Sequence, residues 1–107
     1  PGEWRVIGPT EPGPQKYGTG GEVAMWVSTD EGRSWEKKLD ITSQSKFNHS
    51  FVRKPMNPDK KFYALWADGN AEEFSRSSLY FMNEGGTKVW MLPYAMKRNF
   101  QKPVKVR

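Results

Sequence analysis

Apolar and polar positions alternate along most of this chain in short runs, and turn-forming residues close each run. Residues 3–7 alternate with Trp4 and Val6 on one face, as a strand does. Residues 8–21 form a Pro/Gly-rich loop whose prolines exclude a central strand. Further strands are predicted at 23–27, 35–41, 47–53, 62–67, 77–82 and 89–92. Pro55 stops the fourth of these seven, Asn57-Pro58-Asp59 turns the chain, and Asp68-Gly69-Asn70 ends the fifth. Asn83-Glu84-Gly85-Gly86 is a hairpin signal between the last two. Residues 71–75 could make one helical turn at most, so the chain reads as all-β.

The turn between the second and third strands carries the sharpest pattern. Ser28-Thr29-Asp30-Glu31-Gly32-Arg33-Ser34-Trp35 reads S-x-D-x-G-x-x-W. Gly32 tolerates positive φ, Asp30 can fold its carboxylate onto turn N–H groups, Ser28 adds a hydroxyl, and Trp35 can lay its ring on the hairpin. The pattern resembles the Asp-box, the repeat signature of sialidase-like β-propellers. In that family the box is a turn stitch remote from the active site, so it speaks for fold more than for chemistry.

A faint repeat supports this. Asn83-x-Gly85 stands where Asp30-x-Gly32 stands earlier, with Trp90 near the place of a second box Trp. The offset is about one propeller blade, on the order of 40–50 residues in known repeat classes. The chain therefore reads as a fragment of a β-propeller, about two consecutive antiparallel blades. Residues 1–41 supply the last three strands of an incomplete blade, 42–94 a complete four-stranded blade with a degenerate box, and 95–107 a basic C-terminal tail. Seven strands cannot close a propeller.

Composition narrows the class. At 107 residues with five Trp, 14 % aromatics and a mean hydropathy of −0.85, the chain suits short strands with aromatic inner faces and polar loops. No apolar run has the length of a membrane span, no signal peptide is present, and the chain starts at Pro1. It reads as an internal or C-terminal piece of a longer protein. The absence of Cys removes disulfides and sulfur-ligated metals, and the single His rules out a multi-histidine site within the chain. Neither metal nor cofactor is expected. A net charge of +5 favours anionic partners. The basic residues are spread and no nucleic-acid-binding motif accompanies them, so nucleic acid is not expected as a partner.

The segments GEVAMWVSTDEGRSW, NHSFVRKP, FYALWADG, SSLYFMNEGG and VWMLPY resemble the C-terminal part of bacterial BNR-repeat propeller proteins, across roughly residues 3–94. The resemblance implies a secreted or periplasmic parent directed at carbohydrate. Some relatives are polysaccharide lyases acting on uronate-containing polymers such as ulvan. Many members have no demonstrated activity.

In propellers the first strand of each blade lines the central channel. Here that strand is 48–54, and simple alternation puts His49, Phe51 and Arg53 on one face. Arg53 can hold a carboxylate by two hydrogen bonds, Phe51 can stack on a sugar ring, and His49 can exchange protons near neutral pH. Each has a plainer reading: a hydrogen-bonded structural His, a core Phe, an Arg paired to a neighbouring acid. In the family Tyr is common where this chain has Phe51, so a phenol is absent there as acid or base. Asn48, Trp66, Asp68 and Arg76 complete the candidate sugar-binding set, beside the readings of Asp68 as a turn former and Arg76 as a solvated cation. His49 and Arg53 are the candidate catalytic pair.

The expectation is a secreted propeller that binds an acidic uronate-containing polysaccharide. In an enzymatic version it cleaves by β-elimination, with groups from the missing blades. A sialidase-like glycoside hydrolase and a non-catalytic binding module are the alternatives.

Overall fold

The structure is a computed structural model and describes residues 2–107. It is all-β. Eight strands run as β1 (Trp4–Pro9), β2 (Val23–Ser28), β3 (Glu36–Asp40), β4 (Asn48–Arg53), β5 (Ala64–Gly69), β6 (Leu79–Met82), β7 (Val89–Met91) and β8 (Val104–Lys105). They form a three-stranded sheet, β1-β2-β3, and a five-stranded sheet, β4-β5-β6-β7-β8. Every pairing is antiparallel between sequence neighbours, and neither sheet closes. No helix occurs among the described residues, so 71–75 makes no helical turn. No helix is long and apolar enough to cross a membrane.

The seven expected strands appear with ends shifted by one or two residues, and an eighth appears in the basic tail. Val104 and Lys105 pair with Met91 and Trp90. Arg107 then reaches back to the other sheet, donating through Nη1 to the carbonyls of Asp40 and Ile41. A tail rich in cations gives no strand signal of its own; the open edge of β7 supplies it.

The sheets pack face to face over one core. Val23, Met25 and Ile41 come from the first sheet side, and Ala64, Trp66, Met82 and Val89 from the second. The second set follows from register. Trp66 lies opposite Tyr80, which lies opposite Met91, and Ala64 lies opposite Met82, which lies opposite Val89. All share one face by the two-residue period of a strand. Each fully buried large side chain of this kind stabilises the fold by about 1.5–3 kcal/mol.

The β2–β3 turn is built as its sequence suggests. Ser28 Oγ donates to Asp30 Oδ1 at 2.8 Å and accepts the Gly32 N–H at 2.8 Å. Asp30 accepts the Ser34 N–H at 2.9 Å and the Ser34 hydroxyl at 2.5 Å. Trp35 Nε1 donates to the Gly32 carbonyl at 3.0 Å. Gly32 has φ of +87°, and a Cβ there would come within 2.9 Å of the Trp4 ring, so both backbone and space demand glycine. The Ser34 hydroxyl, followed by the backbone N–H of Ser34 and the Ser28 hydroxyl, draws the Asp30 pKa down to about 2.

The β6–β7 turn repeats the device with an amide. Asn83 Oδ1 accepts the Lys88 N–H at 3.0 Å, and Asn83 Nδ2 donates to Thr87 Oγ1 at 3.0 Å. In both turns a side chain at the start catches the backbone N–H that begins the return.

Candidate functional site

A cavity of about 680 Å³ borders the apolar core, with Ile41 and Val89 in its lining. The link 41–47, the start of β4, the end of β5, residues 76–80 and the C-terminal segment wall it. Its polar lining includes Ser45, His49, Asp68, Ser78 and Tyr80, and Lys46, Arg76 and Arg107 contribute cations. The register of β4, β5 and β6 aims His49, Asp68 and Tyr80 from one face of the sheet.

His49 is 2 % exposed. Its Nε2 lies 2.8 Å from Ser45 Oγ, which also donates to Glu22 Oε1 at 2.5 Å. Glu22 further accepts the Thr42 hydroxyl at 2.6 Å and the Ser45 N–H at 3.1 Å. Partial burial opposes the Glu22 charge, but the hydrogen bonds of Ser45 and Thr42 outweigh it and hold the carboxyl pKa below its ordinary value. The serine has one proton, and the ionised carboxylate takes it. His49 Nε2 must therefore be the N–H donor to Ser45, and Nδ1 carries the lone pair. Nδ1 is buried without a partner. Burial pushes the His49 pKa down against the pull of Asp68 and Glu22, so the ring is neutral.

This is not a nucleophilic triad. In that arrangement the imidazole stands between carboxylate and hydroxyl. Here the hydroxyl stands between carboxylate and imidazole, and it pins the link 41–47 to β4.

Asp68 accepts the Ser78 N–H at 2.8 Å and the Tyr80 hydroxyl at 2.7 Å. Burial, and then the bond to Asp68, raise the Tyr80 pKa far above the ordinary phenol range. Tyr80 thus stays protonated and spends its proton on Asp68. Its ring stacks on Trp66, with centroids 5.9 Å apart, and meets the His49 ring edge-on at 5.9 Å. Arg76 at the rim lies 4.5 Å from the Tyr94 ring centroid.

Of the residues singled out from the sequence, only His49, Asp68 and Arg76 line this cavity. Four others sit elsewhere. Asn48 is buried and holds the Pro/Gly-rich loop: its Oδ1 accepts the Gln15 N–H at 3.0 Å, and its Nδ2 donates to the carbonyls of Gln15 and Tyr17 at 2.9 and 2.8 Å. Gly13 lies so close that a Cβ would stand 2.1 Å from Asn48 Oδ1. Trp66 is 1 % exposed and belongs to the core, its ring beyond the reach of a ligand.

Phe51 and Arg53 depart for a single reason. Ser50 pairs with Ala67 but Arg53 pairs with Leu65, so β4 carries one extra residue there. Phe51 sits at this bulge with φ of +58° and is 70 % exposed. The slip reverses the alternation and places Arg53 on the Leu65 face, opposite to His49. The expectation that His49, Phe51 and Arg53 share a face is therefore corrected, as is the alternative of Phe51 in the core.

Glu22, Ser45, Ser78 and Tyr80 complete the polar site and carry no motif. Tyr80 and Ser78 alternate onto one face in the sequence, but only the β5–β6 register shows that this face meets Asp68. No family model, curated protein or solved structure matches this chain.

Proposed function

We propose that the chain is part of an Asp-box β-propeller, two adjacent blades of it, and that it binds an acidic, uronate-type polysaccharide in the cavity beside Asp68 and Tyr80. The observation that carries the binding reading is the lining itself. Lys46, Arg76 and Arg107 bring positive charge, while Asp68 is already committed to Ser78 and Tyr80. A carboxylate meets the cations and sugar hydroxyls meet the serines, the phenol and Asp68.

Three features support the blade reading. The β2–β3 and β6–β7 turns use the same side-chain-to-backbone catch. The sheets are up-and-down and stack face to face. Each also keeps an outer face with exposed apolar side chains, Trp4 and Val6 on one and Leu79 on the other, as a sheet flanked by further blades would. The parent would be a secreted protein on this reading.

Binding suits the site better than cleavage. Elimination needs an open base beside a cation that neutralises the uronate carboxylate. His49 Nε2 is occupied by Ser45, His49 Nδ1 is buried, and Arg53 lies on the other face of β4. Hydrolysis by a carboxylate pair is not served either: Asp68 lines the cavity, and it already accepts from Ser78 and Tyr80.

Calorimetric titration with oligouronates and with neutral oligosaccharides of the same length tests the proposal. Binding of the acidic oligomers alone is expected, weakened at least ~10-fold in Arg76→Ala by loss of a charge-assisted contact. Equal affinity for neutral oligomers, or full affinity in Arg76→Ala, would sink it. Ultraviolet absorbance from unsaturated products should not grow during incubation.

A further inference from the structure

A second concavity shares no lining residue with the cavity at Asp68. It is a cleft of about 290 Å³ between β1 and the end of β4, lined in part by Glu3, Arg5, Arg53, Lys54 and Tyr63. Arg53 and Lys54 follow His49 by four and five residues, about 13–17 Å along an extended strand at roughly 3.3 Å per residue. Three cations are among the cleft's lining residues. Arg5 is fixed in place, donating through Nη1 to the Glu84 carbonyl at 2.9 Å and lying 5.6 Å from the Tyr63 ring centroid. Lys54 lies 5.0 Å from the same centroid. Arg53 lies 5.9 Å from the Phe51 ring centroid and donates to its own neighbour's carbonyl, Val52, at 3.3 Å. Among the described residues, neither Arg53 nor Lys54 has a carboxylate within ion-pair distance.

The cleft already holds one carboxylate of its own. Glu3 Oε1 accepts from Arg5 Nε at 2.8 Å, and that hydrogen bond is the leading cause of the depressed Glu3 pKa. Both partners lie near the surface, where such a pair is exchangeable with an external anion. Arg53 follows the bulge in β4, and Phe51 at that bulge is exposed, in a backbone conformation that a non-glycine residue rarely adopts.

We propose that the Arg5–Arg53–Lys54 cleft is a small-oxyanion site, distinct from the cavity at Asp68, that takes a carboxylate or sulfate group of a ligand and for which Glu3 is the internal competitor. Arg53 and Lys54 supply the free charge. Arg5 joins when Glu3 yields it. The argument stands on the cleft alone and holds whether or not the cavity binds a uronate.

Amide NMR titrations with sodium acetate and with sodium sulfate, at ionic strength held constant with sodium chloride, test this. Saturable shifts at Arg5, Arg53, Lys54 and Tyr63 are expected. Saturation by acetate alone marks a carboxylate site, by sulfate alone a sulfate site, and either supports the proposal. The double variant Arg53→Gln, Lys54→Gln, exposed and so able to fold, should bind about tenfold more weakly. Glu3→Gln should bind several-fold more tightly, the opposite sign, because it removes the competing negative charge beside Arg5. Arg76→Ala should leave these shifts unchanged, which separates this site from the cavity. Shifts that only track ionic strength, an unchanged affinity in the double variant, or weaker binding in Glu3→Gln would overturn the proposal. Loss of the shifts in Arg76→Ala would place the anion in the cavity and overturn it equally.

Discussion

The Tyr80 hydroxyl donates a 2.7 Å hydrogen bond to Asp68 Oδ2, and this bond joins two strands at the floor of the cavity. It fixes both partners. Asp68 is held between the Ser78 N–H and the phenol, and Tyr80 is locked between Trp66 and His49. Tyr80→Phe keeps the ring and deletes the donor. It should lower stability by about 1–2 kcal/mol, the scale of a hydrogen bond to a charged group that water can partly replace. Denaturant unfolding with an unchanged slope measures it. Sugar affinity should fall in the same variant, because Asp68 loses its anchor.

The imidazole gives a pH dependence. Burial lowers the folded pKa of His49 below its ordinary value of 6.5. As pH falls below 6.5 the unfolded chain takes up a proton that the folded chain refuses, so the unfolded state binds more protons and stability declines. Stability is therefore fully present above the unfolded pKa and is lost as pH falls from there toward the folded value. Urea midpoints measured from neutral to mildly acidic pH should show this slope, and His49→Phe should remove it. An identical slope in the variant would assign the dependence to other groups.

Asp30 acts in a lower window. Its folded pKa is about 2 against an ordinary 3.8. The contribution of its charge is present above 3.8 and fades as pH falls toward 2. Asp30→Ala should lower the melting temperature at neutral pH, and the gap to the natural sequence should narrow through that acidic range. A constant gap would mean that the carboxylate charge contributes nothing to the turn. Sugar binding should be unaffected while the variant is folded, since the turn lies outside the residues that line the cavity.

Asn48 holds the loop from Gln15 to Tyr17 by a buried amide. Asn48→Ala leaves several backbone groups without partners and should cost about 2–3 kcal/mol. Amide exchange should quicken at the Gln15 N–H and at the His49 N–H, which now donates to the Gly20 carbonyl at 2.8 Å. Slow exchange at both positions in the variant would show that the loop holds itself.

The strands were legible because their alternation is local. Ser28, Asp30, Gly32 and Trp35 were legible because a turn's chemistry lies within a few residues. The site was legible only in part. One inserted residue between Ser50 and Arg53 reverses the facing of Arg53, and alternation alone cannot register a bulge unless Gly or Pro marks it. Phe51 occupies that position at positive φ although nothing in its side chain favours the conformation. Glu22 reaches Ser45 across 23 residues, and Tyr80 meets Asp68 only through the β5–β6 register. The β8 pairing depends on an open edge of β7, and a run of lysines and arginines does not announce it.

The central claim is that the cavity beside Asp68 and Tyr80 receives an acidic sugar. Amide NMR mapping with an oligouronate, run beside the neutral oligosaccharide of equal length, tests it most directly. The account predicts saturable shifts concentrated at Ser45, Lys46, Arg76, Ser78 and Tyr80 with the acidic oligomer and none with the neutral one. Shifts absent from these residues at saturation, or equal with the two oligomers, would contradict it.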